Sequence, residues 1–197
     1  MTPVMASADP LEEIFARRPK RADARRNYDA LIAAAREVFG ECGAGASLEE
    51  IARRAGVGIG TLYRNFPSRR DLFEAVYVEE VRALSRSAAD LADLAPWDAL
   101  VAWLNRFVAY VGTKRALAEE LVHDSDVFRS CRTEIYAAGE PLLRRAQAAG
   151  AARPDASFDD VVRLIGGIMA YQFPEPAQRD RVLAIALDGL RFPAAHR

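Results

Sequence analysis

Between Gly56 and Phe66 the chain reads GVGIGTLYRNF, and Thr61, Tyr63, Arg64 and Asn65 stand almost side by side within it. These residue types suit the recognition of base edges rather than covalent chemistry. Arg64 offers a guanidinium fork for guanine O6 and N7 or for a phosphate, Thr61 a hydroxyl and a methyl, and Asn65 an amide that can pair bidentately with adenine. Gly60, having no side chain, leaves room for a close backbone approach.

The flanking residues predict the elements that hold this group. Ser47 stands at a helix N-cap with Glu50 three residues on, the spacing at which the acid reaches back to the cap's own N–H. Leu48, Ile51, Ala52 and Ala55 recur at i, i+3, i+4 and i+7, which puts them on one buried stripe. Gly56 permits the left-handed backbone that ends a helix, and Val57 plugs the angle to the next. That second helix begins near Gly58 with Ile59, Leu62 and Phe66 on its inner side. At about 100° per residue, Gly60, Thr61 and Arg64 fall on the outer side, with Tyr63 and Asn65 on its flanks. Two short helices around a glycine turn make a helix-turn-helix, whose second helix is of a size to enter the major groove of DNA.

The string GVGIGTLYRNFPSRRDLF resembles the DNA-binding domain of the tetracycline-repressor-like (TetR) family of bacterial transcription regulators. The matching residues are Ile51, Ala52, Ala55, Gly56, Val57, Gly60, Thr61, Leu62, Tyr63, Phe66, Arg69 and Leu72, within roughly the first third of the chain. Gly58 departs from the pattern where Ser is common, and Asn65 where His or Tyr is common. The resemblance implies contact with a double-stranded DNA operator through Arg25, Ser47, Gly58, Gly60, Thr61, Tyr63, Arg64, Asn65 and Arg69. It also implies a dimer, an unidentified small-molecule effector and, by the habit of the family, repression.

Charge is distributed in keeping with this. The 197-residue chain has a formal net charge of −1, yet residues 17–70 hold twelve Lys or Arg against six Asp or Glu. A basic module on an acidic remainder is the asymmetry expected of a nucleic-acid-binding domain joined to another. Half the residues are apolar, which excludes a disordered chain, and alternating strand patterns are not found. Cys42 and Cys131 lack a paired spacing and read as buried thiols, not as a metal or redox motif. Neither a long apolar run nor a signal-peptide pattern is seen, so a cytoplasmic protein without a membrane partner is expected.

The fold class expected is all-α, with an N-terminal three-helix DNA-binding domain and a C-terminal helical bundle for ligand binding and dimerisation. Residues 1–21 read as a flexible arm, in which Leu11, Ile14 and Phe15 form an amphipathic turn ahead of Arg17, Arg18, Lys20 and Arg21. Residues 22–67 read as the DNA-binding domain, opened by a helix over Asp23–Glu41, and residues 68–197 as the bundle. After Pro67, Ser68 and Asp71 make a capping-box spacing for a helix running to about Asp93, long enough to link the two domains. A wide apolar helix starts at Pro96 and ends at Gly112-Thr113, and a short one passes through Leu117 and Leu121. Another begins near Asp126 and breaks at Ala138–Pro141. Ser157 and Asp160 cap the next, and the last runs over Ala177–Leu190.

The last two helices, with Leu164, Ile168, Val182, Leu183 and Leu187, resemble the pair that forms the family's four-helix dimer interface. Trp103, Phe107, Tyr110, His123, Phe128, Tyr136 and Met169 are the candidates to line an effector pocket. His123 beside Asp124 is a poor metal site, and neither metal nor cofactor is expected. An enzyme is the alternative reading, as is a helical adaptor with an idle helix-turn-helix. No Gly-rich phosphate loop, zinc motif or nucleophile elbow supports catalysis.

Overall fold

The computed structural model describes Leu11, Ile14 and residues 18–117 and 126–191. Its helices are α1 (Ala22–Cys42), α2 (Leu48–Arg54), α3 (Ile59–Asn65), α4 (Arg69–Arg86), α5 (Pro96–Leu117), α6 (Asp126–Ala148), α7 (Phe158–Ala170) and α8 (Pro176–Leu190). Among the described residues there is no strand, only a single antiparallel bridge between Ala152 and Arg191. The chain is thus all-α. It forms two compact units, Met1–Glu80 with Ala116–Arg132, and Val81–Arg115 with Thr133–Arg197.

In the first unit, Leu31, Ala35, Val38 and Phe39 of α1 are almost wholly buried, as the helical spacing requires. They meet Ile51 and Ala52 from α2, Leu62 from α3, Phe66 after it, and Leu72, Phe73 and Val76 from α4, all buried. Tyr28 packs on Phe66 with ring centroids 4.9 Å apart, and Phe39 stacks on Phe73 at 4.0 Å. That stack is why this unit continues past Pro67 to Glu80. Phe128 of α6 packs on Tyr77 at 4.7 Å, and Cys131 is fully buried, whereas Cys42, expected to be buried, is exposed at the last residue of α1. Leu11 and Ile14 are also buried, and Arg18 binds Asp29 of α1 through Nη2 at 2.7 Å.

The second unit is built on rings. Trp103 and Phe107 of α5 stack 5.7 Å apart, and Trp103 meets Phe158 of α7 at 5.8 Å. These rings leave no room on α6 for a side chain at Gly139, where a β-carbon would stand 2.6 Å from Trp103 Cη2 and closer still to Phe158. Ser157 and Asp160 form a reciprocal capping box at the start of α7.

Four expected boundaries are corrected. The linking helix α4 stops at Arg86, not near Asp93, because its last carbonyls find other donors: Leu84 accepts from Ser87 Oγ at 2.6 Å and from Trp103 Nε1 at 3.3 Å, and Ser87 accepts from Arg106 at 2.9 Å. Helix α5 runs through Gly112 to Leu117, since Gly112 does not take the positive φ of a helix-ending glycine. Helix α6 is continuous across Pro141, because the apolar face of Ile135, Gly139, Leu142, Leu143 and Ala146 is buried on both sides of an exposed proline. At α2 the capping box is half made: Ser47 Oγ accepts from the Glu50 N–H, but the Glu50 carboxylate turns to Arg53 and Arg54, a charge-assisted pairing stronger than one to a neutral N–H. Leu121, the cluster around His123, and His196 lie outside the described residues.

Candidate nucleic-acid interface

Helix α3 has seven residues, too few to be stable alone, so its position is set by what lies beneath it. Leu62 is fully buried, and Phe66, with 3% exposure, closes the C-terminal end. The turn ahead of it rests on Gly56, whose φ of +69° suits glycine alone, and on the Val57 N–H, which donates to the Ala52 carbonyl at 3.0 Å.

Behind the turn, charged groups brace α2 against α1. Arg54 binds Glu41 through both terminal nitrogens at 2.8 and 2.7 Å and Glu50 through Nε at 2.8 Å. Arg53 binds Glu50 at 2.7 and 2.8 Å. With two guanidinium groups on it, the Glu50 carboxyl is pulled down to about 2, and Glu41 is lowered by Arg54. The Glu50–Arg54 pair is legible as an i, i+4 spacing. The Glu41–Arg54 pair, across a turn, is not.

Of the expected contact residues, Arg25, Ser47, Gly58, Gly60, Tyr63 and Arg64 are exposed. Tyr63 is 46% exposed, and no described residue bonds the Arg64 guanidinium. Ser47 is occupied as the cap of α2, and its Oγ donates to Glu49 at 2.7 Å. Gly58 caps α3 with its carbonyl, which accepts from the Thr61 N–H at 2.8 Å.

Two side chains are placed otherwise than their spacing suggests. Asn65, half-buried, donates through Nδ2 to the Thr61 carbonyl at 2.8 Å, so one of its amide N–H groups is engaged within the helix. Ile59, expected on the inner side, is 39% exposed: as the first residue of a short helix it lies beyond the reach of the core under Leu62.

Arg69 is half-buried. Its guanidinium lies over the rings of Phe39 and Phe73, 5.7 and 5.1 Å from their centroids, and donates to the Ala46 carbonyl. This accounts for a basic residue in the first turn of α4 without a phosphate. It also ties the segment before α2 to α4, a positioning role its spacing does not reveal. Arg70, exposed, pairs with Glu74 at 2.8 Å.

The pocket candidates are divided between the units. Trp103, Phe107, Tyr110, Tyr136 and Met169 belong to the second, whereas Phe128 packs in the first. Phe107 and Tyr110 continue the ring row at 5.9 Å, and Tyr136 donates to Asp159 at 2.5 Å. An apolar recess lined by Leu104, Val108, Leu164, Ile165, Leu183 and Leu187 has space for little more than a water, about 10 Å³. A more open depression of about 330 Å³ is lined by Met169, Tyr171, Gln172, Phe173, Pro176 and Arg179. Among the described residues no group of His, Cys, Asp and Glu is arranged to hold a metal, and no helix is long and apolar enough to cross a membrane.

Residues 31–76 match the family described as bacterial regulatory proteins, tetR family, and residues 95–192 match the C-terminal domain of SbtR-like transcriptional regulators. Comparison with curated proteins finds no match. Among solved structures, a TetR transcriptional regulator from Streptomyces coelicolor is 43% identical, with a TM-score of 0.74 over 84% of this chain and 99% of its own. A TetR transcription regulatory protein from Mycobacterium vanbaalenii is 33% identical, with a TM-score of 0.69 over 88% and 99%. A transcriptional regulator from a Rhodococcus species, 21% identical with a TM-score of 0.63 over 82% and 94%, shares the fold.

Proposed function

The chain belongs to the TetR family of bacterial regulatory proteins, and from that premise we propose that it is a dimeric, effector-responsive repressor of a palindromic operator. The observation that carries the reading is the outer face of α3, where Tyr63 and Arg64 stand exposed on a helix held by a glycine turn and a braced α2. Two such helices on a two-fold dimer meet successive major grooves at a spacing of about 34–36 Å. Arg64 reads guanine or phosphate, and Arg25, exposed near the start of α1, adds a phosphate contact. The second copy docks on α7 and α8, whose outer face carries Leu164, 41% exposed, and Ile185, 70% exposed. The effector site lies among the rings of the second unit, and α4, with residues in both units, carries the response. An effector acts only to the extent that it favours one of the two arrangements of the DNA-binding modules. Such a regulator works where the DNA is, in the cytoplasm.

Fluorescence anisotropy against duplexes from around the protein's own gene tests this, with salt titrations of wild type, Tyr63→Ala and Arg64→Ala. Binding to one duplex should fall steeply with salt, and Arg64→Ala should cost about 1–3 kcal/mol at one base position. Weak binding, indifferent to sequence and to both substitutions, overturns the reading.

A further inference from the structure

We infer, on the footing that α3 reads DNA, that Ile59 recognises the C5-methyl group of a thymine in the operator half-site. Ile59 is 39% exposed and Tyr63, four residues on and therefore on the same face, is 46% exposed. A lone surface isoleucine is ordinary. This one stands beside Tyr63 and Arg64 on the part of the module that has to approach a duplex. Gly58 and Gly60 on either side of it carry no side chain that could cover it.

The groups that compete for this role are less open to a duplex. Thr61, the other methyl-bearing candidate, is half-buried, and one N–H of the Asn65 amide is donated to the Thr61 carbonyl at 2.8 Å. The outward side chains of α3 are therefore the Arg64 guanidinium, the Tyr63 phenol and one aliphatic group, Ile59. In the major groove the thymine methyl is the apolar feature that distinguishes one base pair from another, and an aliphatic side chain is its complement. Isoleucine suits the task because its branched β-carbon restricts χ1, so little freedom is lost when the side chain is packed against a base. The reading adds a specificity determinant that the expected set of contacts does not contain.

The test uses the full chain and duplexes that it enriches from a random-sequence pool. Each thymine of the enriched half-site is replaced singly by deoxyuridine, which lacks only the methyl. At one position the replacement should weaken wild-type binding by about fourfold, the worth of one buried carbon. Ile59→Ala should bind the thymine duplex correspondingly less well and be indifferent to uracil there, while Ile59→Val keeps part of the preference. Circular dichroism confirms that both variants are folded. If wild type treats thymine and uracil alike at every position, or if Ile59→Ala retains the preference, the assignment is overturned while salt-dependent, Arg64-dependent binding leaves the regulator standing. If no sequence is enriched, both fall.

Discussion

Helix α3 in the first unit and helix α8 in the second both leave large apolar side chains outside, Ile59 and Tyr63 on one and Ile185 on the other. Their supports are opposite. The seven residues of α3 rest on a dense core and a left-handed glycine, and the preceding helix is braced by Arg53, Arg54, Glu41 and Glu50. The fifteen residues of α8 bury only Leu190 fully, while Val182, Leu183, Ala186 and Leu187 are half-covered. A face that reads DNA, the role proposed for α3, needs few side chains held in fixed places and a cation among them. A face for a second copy, the role proposed for α8, needs area, and its side chains are ordered when the partner arrives.

The largest effect that separates the two regions is expected in the core. Phe39→Ala should cost about 3–5 kcal/mol in urea denaturation and remove DNA binding with it, whereas Ile185→Ala should stay within about 0.5 kcal/mol in the monomer. Equal losses would break the comparison. Next, Ile185→Glu should halve the mass seen by light scattering and leave helicity unchanged, since a charge on a side chain that is 70% exposed opposes self-association without touching the buried core. An unchanged mass would show that α7 and α8 are not the dimer face.

A smaller pair sharpens the contrast. Gly56 and Gly150 have φ of +69° and +67°, and a β-carbon at either would meet nothing within 4 Å. Alanine at each should therefore cost about 1–2 kcal/mol through backbone strain alone. Only Gly56→Ala should also weaken DNA binding, which anisotropy on matched variants checks.

The smallest effect is electrostatic. Glu50, held by Arg53 and Arg54, and Asp155, held by Arg153, both titrate at about 2 in the folded chain. Because folding lowers these values, the stability they contribute is present above the ordinary carboxylate range and is lost as pH falls toward 2. Glu50→Gln should flatten the acid dependence of the first unit and Asp155→Asn that of the second, read by circular dichroism between pH 5 and 2. Both effects should shrink in salt, since the groups are exposed.

Much of the molecule was legible without coordinates. The 3.6-residue stripe of α1, the glycine turn, the capping boxes at Ser68 and Ser157 and the outer placement of Gly60 and Arg64 follow from short-range rules and hold, while Thr61, expected beside them, is half-buried. Punctuation by single residues misled. Gly112 and Pro141 read as breaks, yet Gly112 keeps a helical backbone and buried packing on both sides of Pro141 carries its helix through. Propensity is a weak prior against buried area.

The sequence by itself determined the helical class, the basic module and the residues able to face DNA, because these depend on type and spacing within a turn or two of helix. Tertiary structure decided the rest. It drew Arg69 over Phe39 and Phe73, paired Arg54 with Glu41 across thirteen residues and left Ile59 outside. Each of these outcomes turns on which neighbour outcompetes water or a local partner for a side chain, and that neighbour comes from elsewhere in the fold or, for Ile59, is missing.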